Sequence, residues 1–245
     1  MSEVLLDISD GLAVVTLDAP DRRNALTPTM ARELIQALDA VDADPSIGAA
    51  VVQGNGPAFC AGADLGTLGE AGLDPANDVT YTALSDIYAS FVRVGSLKVP
   101  TVAAVGGAAV GAGLNLALAA DLRVIGQHAR LMSGFARLGI HPGGGHFALL
   151  SRLAGREAAA AMAIFGEEVT GERAGQLGLA WDVVDDDAVQ SRARELARRV
   201  ARDPALAVAV VRAFRMETAP ATLPWDVAVQ VERPSQMWSM RRKNP

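Results

Sequence analysis

Short apolar runs, first separated by turn residues and later replaced by helical periodicity, divide the chain into elements. Val4–Ile8 and Ala13–Leu17 read as two strands, and Asp10-Gly11 between them is the dipeptide of a tight hairpin. Thr27-Pro28 has the form of an N-cap followed by the first helical residue, and Met30, Leu34, Leu38 and Val41 give that helix one apolar stripe. Ala49–Gln53 predicts a buried strand. Residues 66–80, rich in Gly, Asp and Asn, predict a mobile surface loop, with a helix from Thr82 to Val94 after it. Val99–Val105 reads as a further buried strand, ended by Gly106-Gly107, and Asp121–Ile125 as another. Between them VGAGLNLA (110–117) opens a helix that is apolar apart from Asn115. Gly139–Gly145 opens one more helix, which Gly155 is expected to close. From Asp186 onward the pattern is helical, with Val189, Ala193, Leu196 and Val200 on one face and another helix after Pro204. Strand–turn–helix units followed by a helical tail predict an α/β fold, divided here into a core over residues 1–185 and a helical region over 186–245.

Composition narrows the class. The 245 residues are 50% hydrophobic but only 4% aromatic, so Ala, Val and Leu must fill one large core. A formal net charge of -6 argues against a nucleic-acid partner, which favours a basic surplus. Cys60 is the only cysteine, which excludes an intrachain disulfide and fits a reducing compartment. The first residues are acidic where a secretory signal is basic, and no apolar run reaches membrane-spanning length. A cytoplasmic protein with no membrane partner is expected.

Two glycine-rich turns carry the candidate chemistry. In FCAGADL (59–65) small residues follow a strand, so peptide N–H groups can face a ligand without side-chain obstruction. At Gly111-Ala112-Gly113 a helix begins, where unpaired N–H groups and the positive end of the dipole coincide. Brought together, two such donors hold a developing oxyanion; taken singly, each reads more readily as a tight turn in a crowded Ala-rich core. GAGLNL lacks the third glycine of a dinucleotide fingerprint, no P-loop lysine follows a glycine cluster, and no G-x-S-x-G elbow is present. His128, His141 and His146 do not have metal-ligand spacing, so no metal is expected. His141 and His146, flanking a glycine run, are candidates to line an active site.

RRNAL (22–26), AFCAGADL (58–65), PTVAAVGGAAVGAGLNLALAADLRV (100–124), LGIHPGGG (138–145) and EVTGERAGQLGLAWDVV (168–184), in this order and spacing, resemble the crotonase family, also called the enoyl-CoA hydratase/isomerase family. The match spans nearly the whole chain. The resemblance implies a spiral of ββα units with a C-terminal helical oligomerisation region, assembled as homotrimers or dimers of trimers. It implies acyl-CoA thioesters as ligands, with coenzyme A entering as part of the thioester and no permanently bound cofactor. By motif position the oxyanion donors are the N–H groups of Ala63 and Ala112. Arg22, Asn24, Ala25 and Leu26, with Ala61, Asp64 and Leu65, are expected to bind the nucleotide and pantetheine, largely through the main chain. Asp121 matches a structural aspartate after the oxyanion helix.

The chain departs from the family at the two glutamates that activate water. Their positions fall on Asn115 and Phe135. An amide holds a water but takes no proton at neutral pH, and a phenyl ring does neither. Ordinary two-glutamate hydration is therefore not expected. Three readings stand: an enoyl-CoA-type enzyme with another acid/base, a non-catalytic acyl-CoA-binding protein, or another reaction such as decarboxylation or isomerisation. For the first, His141 is the leading candidate, next to Pro142 where the similar naphthoate-synthase branch carries an aspartate, and His146 the second. Members of the family end with a short helix after an acidic-Gly pair, carrying an aromatic residue and a lysine near the CoA phosphates, whereas this sequence ends in Met240-Arg241-Arg242-Lys243-Asn244-Pro245, before such a helix. The expectation is that this helix is missing, and that the basic cluster either replaces the lysine or is a solvated tail.

Overall fold

In the computed structural model Asp10 and Gly11 both take positive φ, 50° and 76°, the mirror-image turn whose twist suits a two-residue hairpin. They join β1 (Val4–Ser9) to β2 (Leu12–Leu17) as expected. The structure describes residues 2–74, 77–218 and 224–243, with the side chains of Arg242 and Lys243 outside the description. The Thr27 hydroxyl accepts the Met30 N–H at 3.1 Å and Pro28 opens α1 (Pro28–Ala43), which buries Met30, Leu34, Leu38 and Val41. The remaining elements in chain order are β3 (Ala49–Gly54), β4 (Ala58–Cys60), α2 (Leu65–Leu73), α3 (Asp78–Gly95), β5 (Thr101–Val105), β6 (Ala108–Val110), α4 (Ala112–Ala119), β7 (Leu122–Gly126), β8 (Arg130–Met132), α5 (Phe135–Leu138), α6 (His146–Ala163), β9 (Glu168–Thr170), α7 (Gly171–Gln176), β10 (Asp182–Val184), α8 (Val189–Ala201), α9 (Pro204–Glu217) and α10 (Trp225–Lys243).

From β3 to β8 successive strands alternate between two sheets. One has the order β1-β2-β3-β5-β7-β10, parallel after the opening hairpin; the other has the order β4-β6-β8-β9. Each strand pair β3β4, β5β6 and β7β8 thus contributes one strand to each sheet before helices return the chain. This is the spiral of ββα units implied by the resemblance. One core lies between the large sheet and the α1, α3, α4 and α6 helices; a second lies between the sheet's other face and α8.

Several boundaries differ from expectation. The segment read as a loop over 66–80 is helical in α2 and at the start of α3, with Pro75 and Ala76 outside the described residues. The Asp64 carboxylate caps α2 by accepting the Thr67 N–H at 3.0 Å, and α2 packs on α10. Tertiary packing overrides a Gly-rich composition there. Gly155 (φ 78°, ψ 169°) ends the first helical stretch of α6 as expected, and a second stretch follows it directly to Ala163. On α8 the buried face is Val189, Ala193, Ala197 and Ala201, whereas Val200 is 43% exposed. Space decides this: a Cβ on Gly48 would lie 2.8 Å from the Ala201 carbonyl oxygen, so only a small residue fits at that crossing. Asp121 is structural as expected. It accepts the Thr101 N–H and hydroxyl, each at 2.8 Å, and both arms of the Arg215 guanidinium, tying α9 to the core. The helical region expected over 186–245 includes α10, which runs from Trp225 to Lys243 and packs against α2 and α6.

Candidate functional site

The two glycine-rich turns are neighbours because the strands that deliver them are neighbours. β4 and β6 pair in parallel, with Ala58 opposite Ala108 and Cys60 opposite Ala109, so the turns after them emerge side by side. Leu26 donates its N–H to the Gly62 carbonyl at 2.7 Å and accepts the Asp64 N–H at 2.9 Å. In such a parallel bridge the intervening residue, Ala63, points its own N–H away from Leu26. Ala112 is the first residue of α4, and the N–H groups of a helix's first turn have no acceptor inside the helix. A Cβ on Gly62 would lie only 3.8 Å from the Ala112 nitrogen, and one on Gly113 would lie 2.2 Å from the Cys60 carbonyl oxygen. The bare backbone at 62 and 113 is what lets the two turns close to this distance. The same contact buries Cys60 completely, and burial pushes its thiol up to about 12.

Ala63 and Ala112 both line a cavity of about 440 Å³, a volume in the usual range for a small-molecule site. Of the residues expected to bind coenzyme A, Arg22, Ala25, Ala61, Asp64 and Leu65 also line it. Asn24 and Leu26 are instead fully buried behind it. The Asn24 amide accepts the Ala19 N–H at 2.9 Å and donates to the carbonyls of Asn55 and Ala58, each at 2.9 Å, so it pins the strand that carries the first turn. The Arg22 guanidinium pairs with Glu3 at 2.5 Å and donates to the Ala25 carbonyl at 3.1 Å, which shapes the rim. Most of the wall is apolar, with Leu84, Phe91, Val110 and Ile140 among it.

Asn115 and Phe135 line the cavity as well, so the two positions that the resemblance gives to glutamates face the same space. His141 does not line it. Its Nδ1 lies 2.6 Å from the Pro142 carbonyl oxygen, and its ring packs edge-on against Phe147. His146 is the histidine beside the cavity. Its Nδ1 is 2.7 Å from Asn115 Oδ1 and its Nε2 is 2.7 Å from the hydroxyl of Ser133, which lines the cavity. Asn115 Nδ2 donates to the Gly143 carbonyl at 3.2 Å, which leaves its oxygen as acceptor from His146 Nδ1–H. The ring is then neutral, with Nε2 accepting the Ser133 proton. Burial, with no carboxylate on the ring, pushes His146 down to about 3. The Phe135 ring meets it edge-on at 5.0 Å between centroids, taking the space a charged partner would need. Ser133 was not anticipated, since its three-member chain joins β8, α4 and α6 and leaves no local sequence signature.

The glycine run at 143–145 is a docking surface for α10. A Cβ on Gly145 would meet the Trp225 ring at 2.3 Å, and one on Gly143 would meet the Gln236 amide at 2.2 Å. The Trp225 indole N–H donates to the Gly144 carbonyl at 3.0 Å and its ring stacks on Phe91. The Glu232 carboxylate accepts the N–H groups of Gly145, His146 and Phe147 at 2.9, 3.0 and 3.2 Å, capping α6 from another element. Arg241 donates to the Leu73 carbonyl on α2. The side chains of Arg242 and Lys243 lie outside the described residues.

Paired backbone turns over an apolar cavity, set on a ββα spiral, define a crotonase-type protein. The model of the enoyl-CoA hydratase/isomerase family matches residues 7–239, and the chain belongs to that family. It is 44% identical to a Mycobacterium tuberculosis protein named a probable enoyl-CoA hydratase, over 88% of this chain and 82% of that one. It is 33% identical to the 1,2-epoxyphenylacetyl-CoA isomerase of Escherichia coli, over 86% of this chain and 81% of the isomerase. A crystal structure of an enoyl-CoA hydratase from Mycobacterium avium subsp. paratuberculosis superposes with a TM-score of 0.84 at 27% identity, covering 98% of this chain and 95% of the other. Among the described residues no helix is long and apolar enough to cross a membrane.

Proposed function

We propose that the protein binds acyl-CoA thioesters and stabilises a thioester enolate, holding the carbonyl oxygen between the N–H groups of Ala63 and Ala112. The observation that carries this reading is that Ala63 and Ala112, each at a glycine-rich turn, line one apolar cavity. Donors fixed before reaction, one of them on a helix N-terminus, are each worth about 3–4 kcal/mol toward an oxyanion. The apolar wall takes the acyl chain, and the rim at Arg22, Ala25 and Ala61 takes the pantetheine. With Asn115 and Phe135 at the glutamate positions, water activation by a carboxylate pair is not part of the proposal. The hydratase and isomerase names of the relatives support the substrate class but not one reaction.

Calorimetric titration with saturated and unsaturated acyl-CoA thioesters, paired with deuterium incorporation at the α-carbon, tests this reading. Binding with exchange supports the enolate role. Binding without exchange favours an acyl-CoA-binding protein without turnover, a reading favoured by the internally satisfied Ser133–His146–Asn115 chain. Hydration of a short enoyl-CoA at ordinary enzymatic rates contradicts the roles assigned to Asn115 and Phe135. For assembly we propose a homotrimer, alone or in pairs, with α9 at a subunit contact, because Leu206, Val210 and Phe214 form an exposed apolar stripe along it.

A further inference from the structure

Ser133 stands at a strand–turn–helix junction, directly after β8 and before the left-handed Gly134 (φ 75°) that opens α5. The Ser133 side chain is buried there, at the wall of the cavity. Its hydroxyl is 2.7 Å from Nε2 of His146, whose Nδ1 is 2.7 Å from Asn115 Oδ1. A hydroxyl, an imidazole and a third group that orients the imidazole are the parts of an activated nucleophile, and a neutral Asn serves as orienter in one known variant of that arrangement. The hydroxyl lines the cavity that also contains Ala63 and Ala112. The Ser133 carbonyl oxygen lies 3.4 Å from where a Cβ on Gly111 would stand, so the junction abuts the turn that carries the Ala112 donor.

We propose that Ser133 is an acyl-accepting nucleophile, activated by His146 and oriented through Asn115, so that the protein cleaves acyl-CoA thioesters through an acyl-serine. The proposal rests on the acyl-CoA reading above, which places the thioester carbonyl at the two backbone donors. Ser133 Oγ forms a bond to the carbonyl carbon while its proton passes to His146 Nε2. The resulting oxyanion is held by the Ala63 and Ala112 N–H groups. Collapse breaks the carbon–sulfur bond, and the sulfur leaves as coenzyme A thiol with the proton from His146. Water then adds to the acyl-serine, giving its proton to His146; collapse expels Ser133 Oγ, which recovers that proton, and releases the carboxylic acid. The sum is acyl-CoA plus water to carboxylic acid plus coenzyme A, with no change of oxidation state. Asn115 orients the ring but brings no charge to the imidazolium, and burial disfavours that cation, so turnover is slow beside that of a triad with a carboxylate.

Saturated acyl-CoA thioesters of several chain lengths test this, because they lack the double bond that hydration requires. Thiol release is followed continuously with a chromogenic disulfide; buried Cys60 leaves that signal to coenzyme A. Quenched samples are examined by intact-mass and peptide mass spectrometry. The expected result is thiol release with an acyl mass on the Ser133 peptide, and a loss of roughly 10³-fold or more in Ser133→Ala. Ser133→Cys is expected to carry the acyl group as a thioester, and Asn115→Asp to release thiol faster than the unaltered protein. Equal thiol release by Ser133→Ala overturns the proposal, as does no release from thioesters that calorimetry shows to be bound. Absence of binding contradicts the acyl-CoA reading itself, so the two failures are told apart.

Discussion

Asn115 shows how far a single position can be read and where reading stops. The GAG turn before it marks the start of α4, and the resemblance marks it as a position for a glutamate. Its partners do not follow from either, because Gly143 and His146 lie 28 and 31 residues away and are brought to it by the packing of α6 on α4. For the same reason His141, beside Pro142, was the more prominent histidine in the sequence. The left-handed Gly145 (φ 74°) sets the register of α6 so that the next ring, His146, turns inward. That burial has a measurable consequence. The folded ring stays neutral down to about pH 3, whereas the ordinary value is 6.5. The unfolded chain therefore takes up a proton below pH 6.5 that the folded chain does not, so stability is complete above 6.5 and is lost as pH falls toward 3. Each unit in that window costs about 1.4 kcal/mol. Denaturant unfolding at pH 7 and pH 5 is expected to show a loss about 2 kcal/mol larger in the unaltered protein than in His146→Gln. Equal losses would mean that the ring is protonated in the folded state. His141→Ala, by contrast, is expected to leave acyl-CoA binding and α-proton exchange unchanged in calorimetry and exchange assays.

The strands and long helices were legible because each carries its own signal. The Asp-Gly hairpin, the Thr27-Pro28 start and the stripe on α1 are all local, and all are observed. The element that was misread depends on a partner far away in sequence: α2 is Gly-rich and forms against α10, which also packs on α6. Glu232 is the polar link in that pair, since its carboxylate holds the first N–H groups of α6. Glu232→Ala leaves those groups without their charged acceptor and is expected to cost about 2–3 kcal/mol. Hydrogen exchange should show it as faster exchange over residues 225–243 and at the start of α6, with the large sheet unchanged. Uniform loss of protection across the chain would mean that α10 and the start of α6 do not open as a unit separate from the sheet. Gly145→Ala is expected to act on the same elements, because its Cβ meets the Trp225 ring and φ is positive.

A ββα spiral holds the cavity, and α10, packed on α2 and α6, contributes Gln236 to its wall. The outer stripe of α9 remains open in a single subunit, with Leu206, Val210 and Phe214 each more than half exposed. Light scattering on the purified protein is expected to give a trimer or a multiple of three, and Phe214→Glu to shift it toward monomer; a monomeric unaltered protein would remove α9 from the account. Sequence pattern could not expose this stripe, since the same spacing on α1 is buried. The central claim is that two backbone N–H groups hold a thioester oxygen in this cavity. A crystal structure of the Ser133→Ala protein with a bound acyl-CoA measures it directly. The account predicts the thioester oxygen at about 2.7–3.1 Å from both the Ala63 and Ala112 nitrogens. An acyl chain seated in the cavity with that oxygen bonded elsewhere would contradict it.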